Sequence, residues 1–264
     1  EKIADIGIEL SRKNKMVAQE AFFWNSKGGA SLYKGNSFAA TKDYQKSIDL
    51  YEELGQNPVN IYGNLGTVYY YTGEYDKAIK YFKTTLEGLK ESDFNTKAEV
   101  CHNIGTAYIN LNEFNKSLDY LYLSKNYRIK QGDSTKLTLT FNQISEAYRR
   151  LNRIDSARYY VNKALRIIHK EDVYSNIWVE INLSQIEFLV ENYSKSILHA
   201  RNALSLAKAT ENSWALPDIN KLLFMAYEKT NNIDSTYHYF KAYKTIDDSI
   251  NNAESAKKIV EAQL

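Results

Sequence analysis

The sequence predicts an all-α fold of about six helix pairs that repeat with a period near 39 residues. Three observations carry that reading. The first is composition: 264 residues contain only 2 prolines and 11 glycines, with 44% apolar and 25% charged residues. That leaves too few turn residues for a β-sandwich or barrel, and too much apolar side chain for a disordered tail. The second is a series of small residues at Ala40, Ala78, Ser117, Ala157, Ser196 and Thr236, spaced by 38, 39, 40, 39 and 40. A fixed spacing of this size marks stacked helical hairpins. The third is a pair of companion series in the same register. Gly28, Gly66, Gly105, Ser145, Ser184 and Phe224 lie twelve residues upstream of the small residues, and Gly35, Gly73, Asn112, Asn152, Glu191 and Asn231 follow seven residues after those. Gly and Asn tolerate the left-handed conformation that ends a helix, so the last series marks tight turns.

Taken in order, residues 1–13 hold a leading helix, with Ile3 to Leu10 reading as the second helix of an incomplete pair. Residues 16–250 hold the six pairs, each a helix of about fifteen residues, a turn and a second helix. The second helices open on an aromatic or branched residue (Tyr75, Phe114, Ile154, Tyr193, Ile233), and apolar groups then recur at helical spacing, as in Tyr75, Ala78, Ile79, Phe82 and Leu86. Pro58 and Pro217 fall in the first turn of a helix, where a missing N–H costs nothing. Residues 252–264 continue as a capping or linker helix with apolar positions at Ile259, Val260 and Leu264. No Pro/Gly/Ser-rich linker divides the chain, so a single solenoid over 1–264 is expected.

Small residues at these positions let two antiparallel helices approach to about 8–10 Å, with aromatics filling the wedge beside them. One such hairpin cannot bury both faces, so each stacks on the next. Residues 60–86 carry the densest form of the pattern: Asn64-Leu65-Gly66, Tyr69, Gly73, Tyr75, Ala78 and Phe82, echoed by Asn103-Ile104-Gly105, Tyr108, Phe114, Ser117 and Leu121, with Trp24, Gly28 and Ala40 marking an earlier copy. These residues resemble the tetratricopeptide repeat, W-x2-L-G-x2-Y followed by A-x3-F. Ser31 and Glu187 stand where that family has tyrosine, and Phe224 stands where it has a small residue. The resemblance implies a right-handed α-α superhelix, a tetratricopeptide solenoid, whose inner wall is lined mainly by first helices and takes protein or peptide partners.

Candidate partner-binding residues follow from that wall. Asn64, Asn103, Gln143 and Asn182 place an amide in four consecutive repeats, and an amide offers both a donor and an acceptor to an extended peptide backbone. The alternative is that these amides bond neighbouring helices inside the stack. Tyr70, Tyr71, Thr106, Arg149, Arg150, Gln185 and Phe188 fall on or beside the same wall, the aromatics and arginines being common anchors; packing for Tyr70 and Phe188, and solvation for Arg149 and Arg150, are the alternatives. The two-carboxylate clamp of chaperone-binding relatives needs Lys and Asn around the first small position. Here those places hold Gly63 and Thr67, His102 and Thr106, then Asn142 and Glu146. The clamp is absent, while His102 and Asn142 stay on the candidate wall.

Catalysis finds no support. His102, His169, His199 and His238 fall in four repeats, Cys101 and His102 point about 100° apart on a helix, and no metal, nucleotide or nucleophile motif is present. The expectation is a non-enzyme without cofactor or metal. Thirty-four basic against 32 acidic residues, without long one-sign blocks, give no support for nucleic acid or anionic lipid as partner, and no nucleic acid is expected to bind this segment. Cys101 alone makes no internal disulfide and reads as a buried thiol, and no run of eighteen apolar residues crosses a membrane. The chain starts at Glu1 without methionine, which suggests a trimmed or processed fragment whose signal peptide or anchor would lie outside it. The segment Tyr239-Phe240-Lys241-Ala242-Tyr243-Lys244, followed by Asp247 to Asn252, resembles the exit from the repeats in bacterial membrane-anchored signalling proteins, which continue to a histidine kinase or helix-turn-helix domain. That resemblance implies a sensor or scaffold region. It favours a periplasmic over a cytoplasmic setting, the compartment itself staying open. The alternatives are a plain capping helix, and a scaffold that self-assembles as a homodimer through the C-terminal helix.

Overall fold

A computed structural model describes residues 1–210 and 213–262, and side chains for all of these except 134, 135, 213 and those from 250 onward. Among the described residues every regular element is helical. The helices are α1 (Lys2–Lys13), α2 (Val17–Tyr33), α3 (Ser37–Glu53), α4 (Val59–Tyr71), α5 (Tyr75–Gly88), α6 (Phe94–Asn110), α7 (Phe114–Gln131), α8 (Ser134–Arg150), α9 (Ile154–Ile167), α10 (Val173–Leu189), α11 (Tyr193–Ala209), α12 (Leu216–Lys229) and α13 (Ile233–Ala262). From α2 onward, each even-numbered helix packs most extensively on the odd-numbered one after it, forming hairpins. The contacts group the chain into two compact units, 1–131 with α1–α7 and 132–264 with α8–α13.

The turn series is realised at every position. Gly35, Gly73, Asn112, Asn152, Glu191 and Asn231 all have φ between 56° and 79°. At each, the next residue's N–H reaches back to the carbonyl five residues earlier, as from Glu74 to Tyr69 at 2.9 Å, which satisfies the helix end. Glu191 does this at φ 59° without being Gly or Asn, a strain of about 1–2 kcal/mol that the hairpin on either side imposes. Pro217 sits in the first turn of α12, whereas Pro58 caps α4 from just outside it.

Within the first unit the close approaches use glycine. A Cβ on Gly28 would lie 2.7 Å from the Tyr44 ring, one on Gly66 2.8 Å from Phe82, and one on Gly105 2.6 Å from Leu121. The facing Ala40, Ala78 and Ser117 are fully buried. In the second unit serine replaces glycine and the facing residue shrinks to Val161 or Ala200. Ser145 then donates to the Ala157 carbonyl at 2.7 Å and Ser184 to the Ser196 carbonyl at 2.9 Å, so each hydroxyl is satisfied at the point of contact.

The signature tyrosines stack on a second tyrosine twelve residues later. Tyr69 lies on Tyr81, Tyr108 on Tyr120, Tyr148 on Tyr160 and Tyr227 on Tyr239, with ring centroids 5.4–5.8 Å apart. Where tyrosine is missing, a polar pair stands in. Ser31 donates to the buried Asp43, also twelve residues on, at 3.1 Å, and Glu187 of α10 is ion-paired with Arg158 of α9. The substitution is coupled, which keeps the buried carboxylates compensated. The C-terminal helix runs to Ala262, but the expected capping or dimerising side chains at Ala253–Leu264 lie outside the described residues.

Candidate partner-binding surface

First helices of successive hairpins are tied by amides in each unit. In the first unit the Asn64 side chain donates to the Asn25 side-chain carbonyl at 3.0 Å, linking α4 to α2, and Asn110 donates to the Tyr70 hydroxyl at 3.4 Å, linking α6 to α4. Asn25, Asn64 and Asn103 are only half-buried. An amide has two donors and two acceptor lone pairs, so one bond between Asn64 and Asn25 leaves most of that capacity facing outward. Tyr70 packs edge-on against both Tyr71 and Tyr75, and Tyr71 is 71% exposed at the end of α4. The Thr106 hydroxyl bonds the His102 carbonyl within its own helix, which leaves its methyl as its contact surface.

His102 is no free hydrogen-bonding handle. Its Nδ1 is buried without a partner, and burial, reinforced by the Arg128 guanidinium, pushes its pKa down to about 3, so the ring stays neutral. Burial pushes the neighbouring Cys101 thiol up to about 12, which makes it an inert core residue.

The second unit treats its amides differently. Asn182 donates to both the backbone and the side-chain oxygen of Asn142 at 3.1 and 3.2 Å, and both residues are 3% exposed. This rung holds α10 on α8 and is closed to a partner. Gln143 holds the register place of Asn182, but the bond goes one residue earlier, to Asn142, as Asn64 bonds Asn25 rather than Ser26, and the Gln143 side-chain oxygen is buried without a bond. Arg149 is largely buried against Glu146, 3.4 Å away, and burial lowers its pKa, whereas Arg150 is exposed. Phe188 meets Tyr193 across its own turn at 5.4 Å, with half-buried Gln185 one turn earlier.

Thus the structure brings Asn64, Tyr70 and Tyr71 together on α4, with half-buried Asn103 and Thr106 on α6. Asn142 and Asn182 are committed to packing. Sequence reasoning missed Asn25 and Asn110. Asn25 lies one residue before Ser26, the place that the amide register assigns one repeat before Asn64, so extending the series backward passes it over. It also missed an aromatic group in the second unit, where Trp178 and Trp214 stack at 5.1 Å beside Tyr174. Among the described residues no group of three or more His, Cys, Asp or Glu side chains is placed to hold a metal ion, and no helix is long and apolar enough to cross a membrane.

Comparison with known proteins agrees with this architecture. Residues 20–91 and 98–125 match models of the tetratricopeptide repeat. No curated protein sequence matches the chain. Among solved structures, the apo form of RapI superposes with a TM-score of 0.70 at 15% identity, covering 92% of this chain and 91% of that one. Aspartyl phosphate phosphatase F from Bacillus subtilis gives 0.73 at 11% identity over 90% of this chain and 63% of its own, so this chain spans less than two thirds of it. NprR in complex with its cognate peptide NprX gives 0.65 at 16% identity, covering 88% and 70%. At these identities the likeness concerns the fold. The first unit carries tetratricopeptide repeats in both sequence and structure, and the chain as a whole has the tetratricopeptide-repeat fold.

Proposed function

We propose that the chain is a non-catalytic module that binds a protein or peptide partner, and that it serves as the sensing or scaffolding region of a bacterial signalling protein. The observation that carries the binding reading is the half-open amide row of the first unit, Asn25 and Asn64 bonded at 3.0 Å with Asn103 on the next first helix. An extended segment has one donor and one acceptor per residue, which a row of amides can match without reading sequence. Tyr70 and Tyr71 add aromatic surface beside it, the residue type that most often anchors a partner. The solved likeness to NprR with its cognate peptide supports a peptide as occupant. The signalling setting rests on the resemblance of residues 239–252 to the exit segment of membrane-anchored signalling proteins.

The test is a peptide selection from a displayed random library, followed by calorimetric titration of the selected peptide. Asn64→Ala and Tyr71→Ala are expected to weaken binding ~tenfold or more, while Asn182→Ala leaves affinity unchanged and lowers stability. Selected peptides that bind equally well to all three variants would refute the assignment to this wall.

A further inference from the structure

Two apolar stripes, one on the first helix and one on the last, sit at repeat positions that are buried or half-buried in the other repeats. In α13 the stripe is Ile233, Tyr237 and Phe240, which are 79%, 67% and 41% exposed. Relative to the small residue Thr236 they occupy the places that Tyr75, Ile79 and Phe82 occupy relative to Ala78. Ile79 and Phe82 share one buried cluster with Ile104 and Tyr108 of the following first helix, and Tyr75 packs against it. In the second unit, Ala200 and Ile197 meet Leu223 and Tyr227 in the same way. The α13 stripe is therefore a stacking face of the kind each earlier hairpin offers to a following first helix. With Phe224 it lines an open groove of about 560 Å³.

The leading helix supplies the complementary chemistry. A Cβ on Gly7 would lie 2.5 Å from the Phe23 ring sixteen residues later, the same close approach that Gly28 makes to Tyr44 and Gly105 to Leu121. Lys15, with φ 55°, closes α1 with the same left-handed turn, set eight residues after Gly7 where the hairpins have seven. By this register α1 behaves toward α2 as a first helix. Its Ile3, Ile6 and Leu10 then stand where Cys101, Ile104 and Tyr108 stand around Gly105. Cys101, Ile104 and Tyr108 are buried, whereas Ile3, Ile6 and Leu10 are 80%, 58% and 53% exposed.

We propose that these two faces bind each other between copies of this chain: the α13 stripe of one copy docks on the α1 stripe of the next, continuing the hairpin stacking that α5 and α6 show within one copy. Both stripes are flanked by charges of both signs (Lys2 and Glu9; Asp234 and Lys241), so neither repels the other. The contact is heterologous: it uses two different patches and leaves a free patch at each end of a pair.

That asymmetry makes the proposal testable by mixing. The average mass of the chain is measured by light scattering over a wide concentration range, for the chain itself and for Ile6→Glu and Tyr237→Glu. Both residues are exposed, so circular dichroism should show unchanged helix content. The expected result is a mass that rises above one copy with concentration for the unaltered chain, a single-copy mass for each variant alone, and 1:1 pairs on mixing the two variants, because each retains the face the other lacks. A chain that stays at one copy throughout, as it would if another protein or a further stretch of chain covered these faces, would overturn the proposal. So would association that survives in either variant alone, or a mixture that forms no pairs.

Discussion

The sharpest test of the packing logic is Gly66→Ser combined with Phe82→Val. A Cβ at position 66 would lie 2.8 Å from two ring carbons of Phe82 and 3.3 Å from the Ala78 carbonyl oxygen, which belongs to backbone and cannot swing away. Phe82 is 1% exposed, so the ring has nowhere to go. Overpacking of this kind costs about 1–3 kcal/mol, and the roughly half kcal/mol by which serine exceeds glycine in helix propensity does not offset it. Phe82→Val alone removes part of a buried ring, a loss of about 2–4 kcal/mol when the site collapses only partly. The two changes together recreate the arrangement at Ser145 and Val161, where serine bonds the facing carbonyl at 2.7 Å. The double variant should therefore be more stable than the sum of the single losses by about 1–2 kcal/mol, a coupling typical of residues in direct contact. The assay is a double-mutant cycle by denaturant titration with helical circular dichroism. Hydrogen exchange of the α4 and α5 amides serves as a local readout, because a repeat array can unfold in parts. Additivity within about 0.5 kcal/mol would refute the claim that residues 66 and 82 compete for one space.

Three further outcomes follow from single contacts. Arg158→Met should cost about 2 kcal/mol by leaving the buried Glu187 carboxylate unpaired, and Arg158→Met with Glu187→Met should recover most of it; thermal denaturation of both variants decides the matter. Asn182→Ala should cost about 1–3 kcal/mol, because it strips the Asn142 oxygens of their donor, whereas Asn64→Ala on the half-open rung should cost under about 1 kcal/mol; denaturant midpoints at unchanged slope would show the difference. His102 is held neutral down to about pH 3 by burial and by Arg128, so the unfolded chain takes up its proton first as pH falls below 6.5. Its contribution is therefore complete above pH 6.5 and is lost progressively toward pH 3. His102→Gln should flatten the stability profile in that window by up to about 1.4 kcal/mol per pH unit, read from denaturation at several pH values.

Most of the hairpin framework was legible because its requirements are local. A turn needs a left-handed residue, and all six turn positions were visible as a series even though Glu191 is a poor member of it. A close helix contact needs a small residue, and Ala40, Ala78, Ser117, Ala157 and Ser196 are all fully buried. The candidate wall was less legible because it depends on rotation about a helix axis, where one residue of slip turns a side chain by 100°. Gln143 keeps the register of Asn182, yet the bond runs to Asn142, because the rung joins staggered positions of neighbouring helices, as it does from Asn64 to Asn25. Whether an amide is half-open, like Asn64, or closed, like Asn182, depends on how deeply the neighbouring helix covers it. No spacing encodes that.

The second positions of these pairs were illegible for a different reason: they are set by compensation between residues far apart in sequence. Gly66 allows a phenylalanine opposite it and Gly105 a leucine. Ser145 stands with Val161 and Ser184 with Ala200 at the same spacing, so the larger first residue goes with a smaller second one. In the last hairpin the compensation fails, because Phe224 faces Phe240 and both are large. Their rings meet at 5.3 Å, Thr236 is only half-buried where its predecessors are wholly buried, and a groove opens beside them. A departure that reads in sequence as a weak final repeat is in structure a contact of two large rings that leaves Phe240 41% exposed. Restoring the small residue with Phe224→Gly should let the Phe240 ring turn in against α12. It would reduce the exposure of Phe240, which sits in the stripe proposed to meet a second copy. If self-association is driven by that stripe, the same substitution should weaken it without touching α1, and an unchanged association would separate the ring contact from the docking face.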